Sequence, residues 1–394
     1  MAQRFSDILL VEDEGQLLLP PEVHHLADLL ERNPEGVLKA FRQSQQADFI
    51  RLLDEMSLPQ QPLRGIFAKL ERLGPPLFDP AELKDLFLDM HDHVMAHPVW
   101  RHPFFVRVFE GRIEAGELNR FALAYFNQIK NTRQCVALAL GRFNSLMPLP
   151  FALASERVSE MTQIVLAQLL ADEYGVGAHA LEDYPALAGL LSSNTHILMY
   201  RQLFDGLGIP FERQDAPLLS GVADNVLVQR LVAGDPAFTP LEALASVGLG
   251  MEWGVPEFFS LLLGGLVRFA WRTKTPLTCR HLQVFIAHVK YDVLHAVSVM
   301  LVTAFHMRRA EDRGTVKQSV NLLMSARFGM MTDLYAHVFC EPCERLGDHE
   351  LETRYRIADR RIEGLLARQR QMADPARLAD PKGYLGHPMP FVFA

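Results

Sequence analysis

The stretch HLQVFIAHVKYDVLHAVSVM, residues 281–300, decides how this chain is read. Its apolar residues recur at three- and four-residue spacing, the period of a helix face. His288, Asp292 and His295 stand at offsets of four and seven. At about 3.6 residues per turn those positions fall within about 60° of one another. Two imidazoles and a carboxylate therefore point the same way from a helix whose other positions, Val284, Phe285, Val289, Val293 and Val299, are apolar. Polar groups in such surroundings are costly unless hydrogen-bonded or metal-bound. This helix alone leaves two readings open: a metal site, or an Asp292-centred hydrogen-bond cluster without metal.

Outward from this stretch, helical periodicity dominates. It predicts helices over 21–31, 83–95, 118–144, 152–173, 194–207, 240–248, 255–273, 278–305 and 315–339, with Thr278 as N-cap of the histidine-bearing segment. Alternating strand-like runs are almost absent, and no fixed-period repeat is present. The fold class is all-α. Proline-rich stretches around Pro20, 59–62 and 75–80 break the first part into short helices, which read as an extension or small subdomain. A charged helix over about 350–370 and a Pro- and Gly-rich tail end the chain.

Composition narrows the function classes. The chain has 394 residues, 49% hydrophobic and 22% charged, with a net charge of -8. No basic stripe interleaved with aromatics is present, so nucleic acid is excluded as a partner. The opening MAQRFSDILLVEDEGQ lacks the basic and uninterrupted apolar regions of a secretory signal, and the apolar run 258–271 is too short for a bilayer and contains Arg268. Four cysteines make no disulfide framework, and the expected compartment is the cytoplasm. Cys340 and Cys343 form a CEPC pair without a second pair to complete a zinc site, and read as incidental cysteines near a helix end.

Further acids and histidines bear on the two readings. Glu173 and His179 stand in ADEYGVGAH, about 120° apart on an unbroken helix, where Gly175 and Gly177 can distort the turn so that both face one point. The commoner reading of that string is a glycine-ended helix with two exposed polar residues. Glu252, in VGLGMEWGVPEFF, lies four residues before Pro256, whose ring clashes with its carbonyl and kinks any helix there. Such a kink re-aims a side chain. Glu257 is a rival ligand beyond the kink, or a solvated acid. Three carboxylates and three histidines suit a pair of iron or manganese ions better than zinc or calcium. Helical bundles build dinuclear sites from inward-facing residues on neighbouring helices. Arg133, Lys274 and Arg327 are candidates for holding a substrate carboxylate, though each is more commonly a surface charge.

In HPFFVRVFEGRIEAGELNRFALAYF, then Glu173 with His179, then EWGVPEFF and HVKYDVLH, the chain resembles the haem-oxygenase-like dimetal oxidases, relatives by fold of the TenA and PqqC proteins. The resemblance spans about residues 95 to 340 and is most specific in HVKYDVLH. It implies a haem-oxygenase-like seven-helix bundle over 91–345, with a helical extension over 1–90 and a charged helix and tail over 346–394. It also implies that Glu173, His179, Glu252, His288, Asp292 and His295 hold two Fe(II) ions, with manganese as the alternative, and that dioxygen is the cosubstrate. No haem is implied. In that carry-over Glu252 bridges, His179 and His295 ligate one ion, and Glu173, His288 and Asp292 the other.

Family members that oxygenate amine nitrogens often carry a further carboxylate on the first core helix, and 118–144 contains no Asp or Glu. The expectation is a nonhaem diiron oxidase that cleaves C–C bonds, by decarboxylation or fragmentation of an amino-acid-derived or fatty acid, in the biosynthesis of a specialised metabolite. The alternatives are an N-oxygenase using the same centre and a metal-free TenA-like binding protein. The expected partners are a small-molecule substrate and an electron donor, with homodimerisation by analogy and no membrane.

Overall fold

Prolines and short polar side chains set where the helices begin. The computed structural model describes residues 12–13, 16–17, 80–143, 153–175, 195–214, 218–278, 280–343 and 364. A minimal antiparallel pair, β1 (Glu12–Asp13) and β2 (Gln16–Leu17), comes first. All other regular elements among the described residues are helical: α1 (Pro80–Met95), α2 (Pro103–Phe109), α3 (Ala115–Thr132), α4 (Gln134–Gly141), α5 (Leu153–Glu173), α6 (His196–Gly206), α7 (Ser220–Gly234), α8 (Pro240–Ala245), α9 (Val255–Thr273), α10 (Gln283–His306) and α11 (Asp312–Phe339), with brief 3₁₀ turns between some of them. Pro103 opens α2 behind His102, whose Nδ1 accepts from Phe104 N at 3.0 Å. Thr239 and Glu242 cap α8 reciprocally.

The all-α class is the one the periodicity predicts. The predicted helix over 118–144 is interrupted at Arg133, which keeps right-handed helical angles, so α3 and α4 are separated by one residue rather than by a loop. Thr278 is not the N-cap of α10, which starts at Gln283. It closes the turn ahead instead: its Oγ1 accepts from His281 N at 3.4 Å and its own N donates to His281 Nδ1 at 3.1 Å. α7 has no counterpart among the predicted helices. It is buried nearly all round, from Val222 to Ala233, against α3, α4 and α11, so it has no polar face for a periodic pattern to mark. Cys340 closes α11 with a left-handed φ of 56°, and neither cysteine of the CEPC pair is in a disulfide. The predicted helices over 21–31 and 350–370, and His179, lie outside the described residues.

One irregular element positions the centre of the molecule. Between α8 and α9 the chain widens into a π-helical turn, Ser246–Glu252, closed by Trp253 N donating to Gly248 O at 2.8 Å. Pro256, early in α9, prevents the chain from running on as one helix. Val247 and Met251 pack in one apolar cluster and Leu249 and Trp253 in another, so the turn straddles both. A Cβ on Gly248 would lie 2.8 Å from Val299 Cγ1, and one on Gly250 2.9 Å from Leu323 Cδ2. The glycines let this turn lie directly against α10 and α11. Among the described residues, no helix is long and apolar enough to cross a membrane.

Candidate metal centre

The wide turn delivers Glu252 to a place where α10 presents His288, Asp292 and His295, α5 ends on Asp172 and Glu173, and α6 opens on His196. Asp292 is the hub. Its Oδ2 lies 2.5 Å from His288 Nδ1 and its Oδ1 3.4 Å from His295 Nδ1, the two contacts expected of neighbours four and three residues apart. Glu252 Oε2 stands 3.9 Å from the same His295 nitrogen. Ligand-type atoms of Glu252, Asp292 and His295 all fall within 4.8 Å of one another.

His295 is oriented from its other side. Its Nε2 donates to Asp172 Oδ2 at 3.0 Å, which turns Nδ1 toward the two buried carboxylates. That Nδ1 is buried and has no hydrogen-bond partner. A carboxylate holding the remote nitrogen of an imidazole is the usual arrangement behind a metal-binding histidine. Burial opposes a proton on His295, but the adjacent Asp292 and Glu252 outweigh it and push the imidazole up to about 9. Burial likewise opposes charge on Asp292, yet the His288 charge and hydrogen bond, with His295 close by, hold it at about 2. Glu252 goes the other way: burial, then repulsion from Asp292, raises it well above the usual carboxylate range. The second acid cannot ionise comfortably beside the first without a cation.

Glu173 faces the same region through a different partner. Its Oε2 is 2.8 Å from His196 Nδ1. Burial would raise Glu173, but the His196 charge and hydrogen bond bring it below its usual value; His196 is raised in turn because Glu173 outweighs its burial. The His196 ring meets His288 edge-on at 4.5 Å between centroids, and Phe259 stacks on His288 at 4.2 Å. These contacts join the Glu173 pair to the Asp292 cluster.

Five of the six residues singled out in the sequence thus lie in one contiguous polar cluster, and His179 lies outside the described residues. Asp172 and His196 escape sequence reasoning. Asp172 is about 100° round the helix from Glu173 and would be placed on another face, but α5 ends there and both acids reach inward. His196 follows its N-cap Thr195 in SSNTH, a context shared with many surface histidines. Two other expectations are corrected. Glu257 is fully buried rather than solvated, because α9 is buried along its entire apolar length. Arg327 is buried in α11, whereas Lys274 is an exposed left-handed C-cap and Arg133 is half-buried with its guanidinium 4.2 Å over the Tyr174 ring.

No protein-family model matches the chain, and none of the curated proteins does. Among solved structures, a CADD-like protein of unknown function from Nostoc punctiforme aligns with a TM-score of 0.49 at 11% identity, over 66% of this chain and 99% of that one. A TenA homolog from Pseudomonas syringae pv. tomato aligns with a TM-score of 0.45 at 9% identity, over 66% and 97%. Both are likenesses of shape at low identity, and neither bears on chemistry.

Proposed function

We propose that this chain is a nonhaem diiron oxidase that uses dioxygen to break a C–C bond in a small metabolite, by decarboxylation or fragmentation. The observation that carries the proposal is the buried Glu252–Asp292–His295 cluster, in which His295 Nδ1 makes no hydrogen bond yet lies 3.4 Å from Asp292 and 3.9 Å from Glu252, two carboxylates of which only one ionises readily. A self-sufficient polar network would pair that nitrogen, since buried polar groups are ordinarily hydrogen-bonded. Mixed imidazole and carboxylate donors fit iron or manganese. The resemblance adds His179, so that Glu173, His179, Glu252, His288, Asp292 and His295 would hold the pair.

When bound, a ferrous pair supplies the electrons that dioxygen needs to react at a substrate bond. The protein's own residues set the conditions. Asp172 fixes the tautomer and direction of His295, and Asp292 does the same for His288. His196 neutralises Glu173 and is positioned to release it when a cation takes its place. Phe259 packs on His288 and excludes water from that side of the cluster. Cleavage rather than nitrogen oxygenation is supported by the first core helices: after Glu117, α3 and α4 carry no acid, and Glu117 itself binds Glu114 N at 2.7 Å and Arg107 at 3.3 Å.

The test is anaerobic loading with ferrous iron followed by oxygen. The loaded protein should take up dioxygen with a transient visible absorption band, and Asp292→Ala should show neither. Oxygen uptake by Asp292→Ala equal to wild type would sink the proposal. Mass spectrometry of turnover products separates the reaction types: loss of carbon dioxide or a carbon fragment supports cleavage, and oxygen gained on nitrogen contradicts it.

A further inference from the structure

Arg327 lies on α11 at 7% exposure. Its Nη1 is fully buried and has no hydrogen-bond partner. A Cβ on Gly254 would sit 3.5 Å from that nitrogen, so the guanidinium lies against the backbone two residues beyond Glu252. It is held 5.3 Å over the Phe258 ring, which stacks with Tyr125 at 5.7 Å and meets Phe105 edge-on at 4.9 Å. No carboxylate comes within ion-pair distance of it among the described residues, although its charge reaches both Glu252 and Tyr125.

This placement is costly for a purely structural residue. Arginine does not shed its proton, and a buried cation without an ion-pair partner is destabilising. Its planar fork is suited to a carboxylate, which it can grip through two parallel N–H donors. The aromatic rings around it, Phe258, Tyr125 and Phe105, are buried and make its surroundings apolar.

We infer that Arg327 is the anchor for the carboxylate of the substrate, holding an apolar or aromatic monocarboxylate beside Glu252 on the α11 side of the centre. The inference rests on the oxidase reading for what happens to that substrate, but the binding step itself needs no iron. Arg327 should add nothing to the binding of neutral amides of the same shape, which lack the charge, and should repel amines.

The experiment uses the full chain, iron-loaded and after chelation, with phenylacetate, phenylacetamide and phenethylamine as probes. Calorimetry should show phenylacetate binding to the chelated wild type, and Arg327→Met should weaken it about tenfold to a hundredfold, the range for one charge-assisted pair. Arg327→Lys should retain part of the affinity. Phenylacetamide should bind both forms equally and weakly. Without ligand, Arg327→Met should melt at or above the wild-type temperature, where a structural arginine would lower it. The anchor is overturned by no phenylacetate binding to wild type, by equal binding to Arg327→Met, or by a lowered melting temperature in that variant. Iron content, measured on the same proteins, tests the oxidase reading separately: Arg327→Met should keep its iron whatever happens to the carboxylate.

Discussion

In the metal-free protein, replacing Glu252 with glutamine should stabilise the fold, and increasingly so as pH rises. Glu252 is 4% exposed, and burial followed by repulsion from Asp292 holds its carboxyl well above 4.5, the value it takes when unfolded. Between 4.5 and the raised folded value, the native state holds a proton that the unfolded chain has released. Stability therefore falls as pH rises through this window. The slope approaches about 1.4 kcal/mol per pH unit inside that window. Glutamine keeps the shape without carrying that proton, and His295 titrates in both proteins. Urea unfolding of chelated wild type and Glu252→Gln across this range should show the variant gaining on wild type at each step. Ferrous iron should then reverse the order, raising the wild-type midpoint far more than the variant's, because a ligand of the native state stabilises it by mass action. A variant that is less stable at every pH would refute the reasoning, since it would mean that Glu252 is already satisfied inside a structural network.

Further outcomes follow from other parts of the fold. His97 and His102 are both held at about 3, burial being the largest cause, and each accepts a backbone N–H on Nδ1 at a helix start. Unfolded, they take up protons near 6.5, so the stability they contribute is full above that value and declines below it. Each should remove about 2 kcal/mol by about pH 5, and His102→Gln should flatten that acid limb in thermal melts; an unchanged limb would count against the assignment. Gly250→Ala should lower stability by about 1–3 kcal/mol through overpacking against Leu323. Gly141→Ala, with nothing within 4 Å of its Cβ, should be neutral or slightly stabilising. Equal unfolding midpoints for these two variants would contradict the packing argument. His179→Ala should reduce iron stoichiometry, and retention of full iron would remove His179 from the ligand set.

How much of this was legible in the sequence depended on whether a residue's neighbours were local. The Asp292 contacts to His288 and His295 follow from spacing on one helix, and Pro256 announced the break that delivers Glu252. The turn before that break is wider than a simple kink, because the glycines at 248 and 250 allow a π-helical approach to α10 and α11 that no pattern encodes. α7 was invisible because a helix buried all round loses the polar stripe that reveals periodicity. Asp172, His196 and the burial of Arg327 are tertiary facts: each depends on where a helix begins, ends or leans, and none leaves a local signature.

The central claim is that this cluster exists to hold a pair of metal ions, and anaerobic titration of the chelated full chain with ferrous iron, followed by metal analysis after gel filtration, tests it most directly. Wild type should retain about two tightly held equivalents, and Asp292→Ala and Glu252→Gln fewer, with the fold of both variants kept by circular dichroism. Retention of less than one equivalent by wild type, or the same iron content in Asp292→Ala, would contradict the claim.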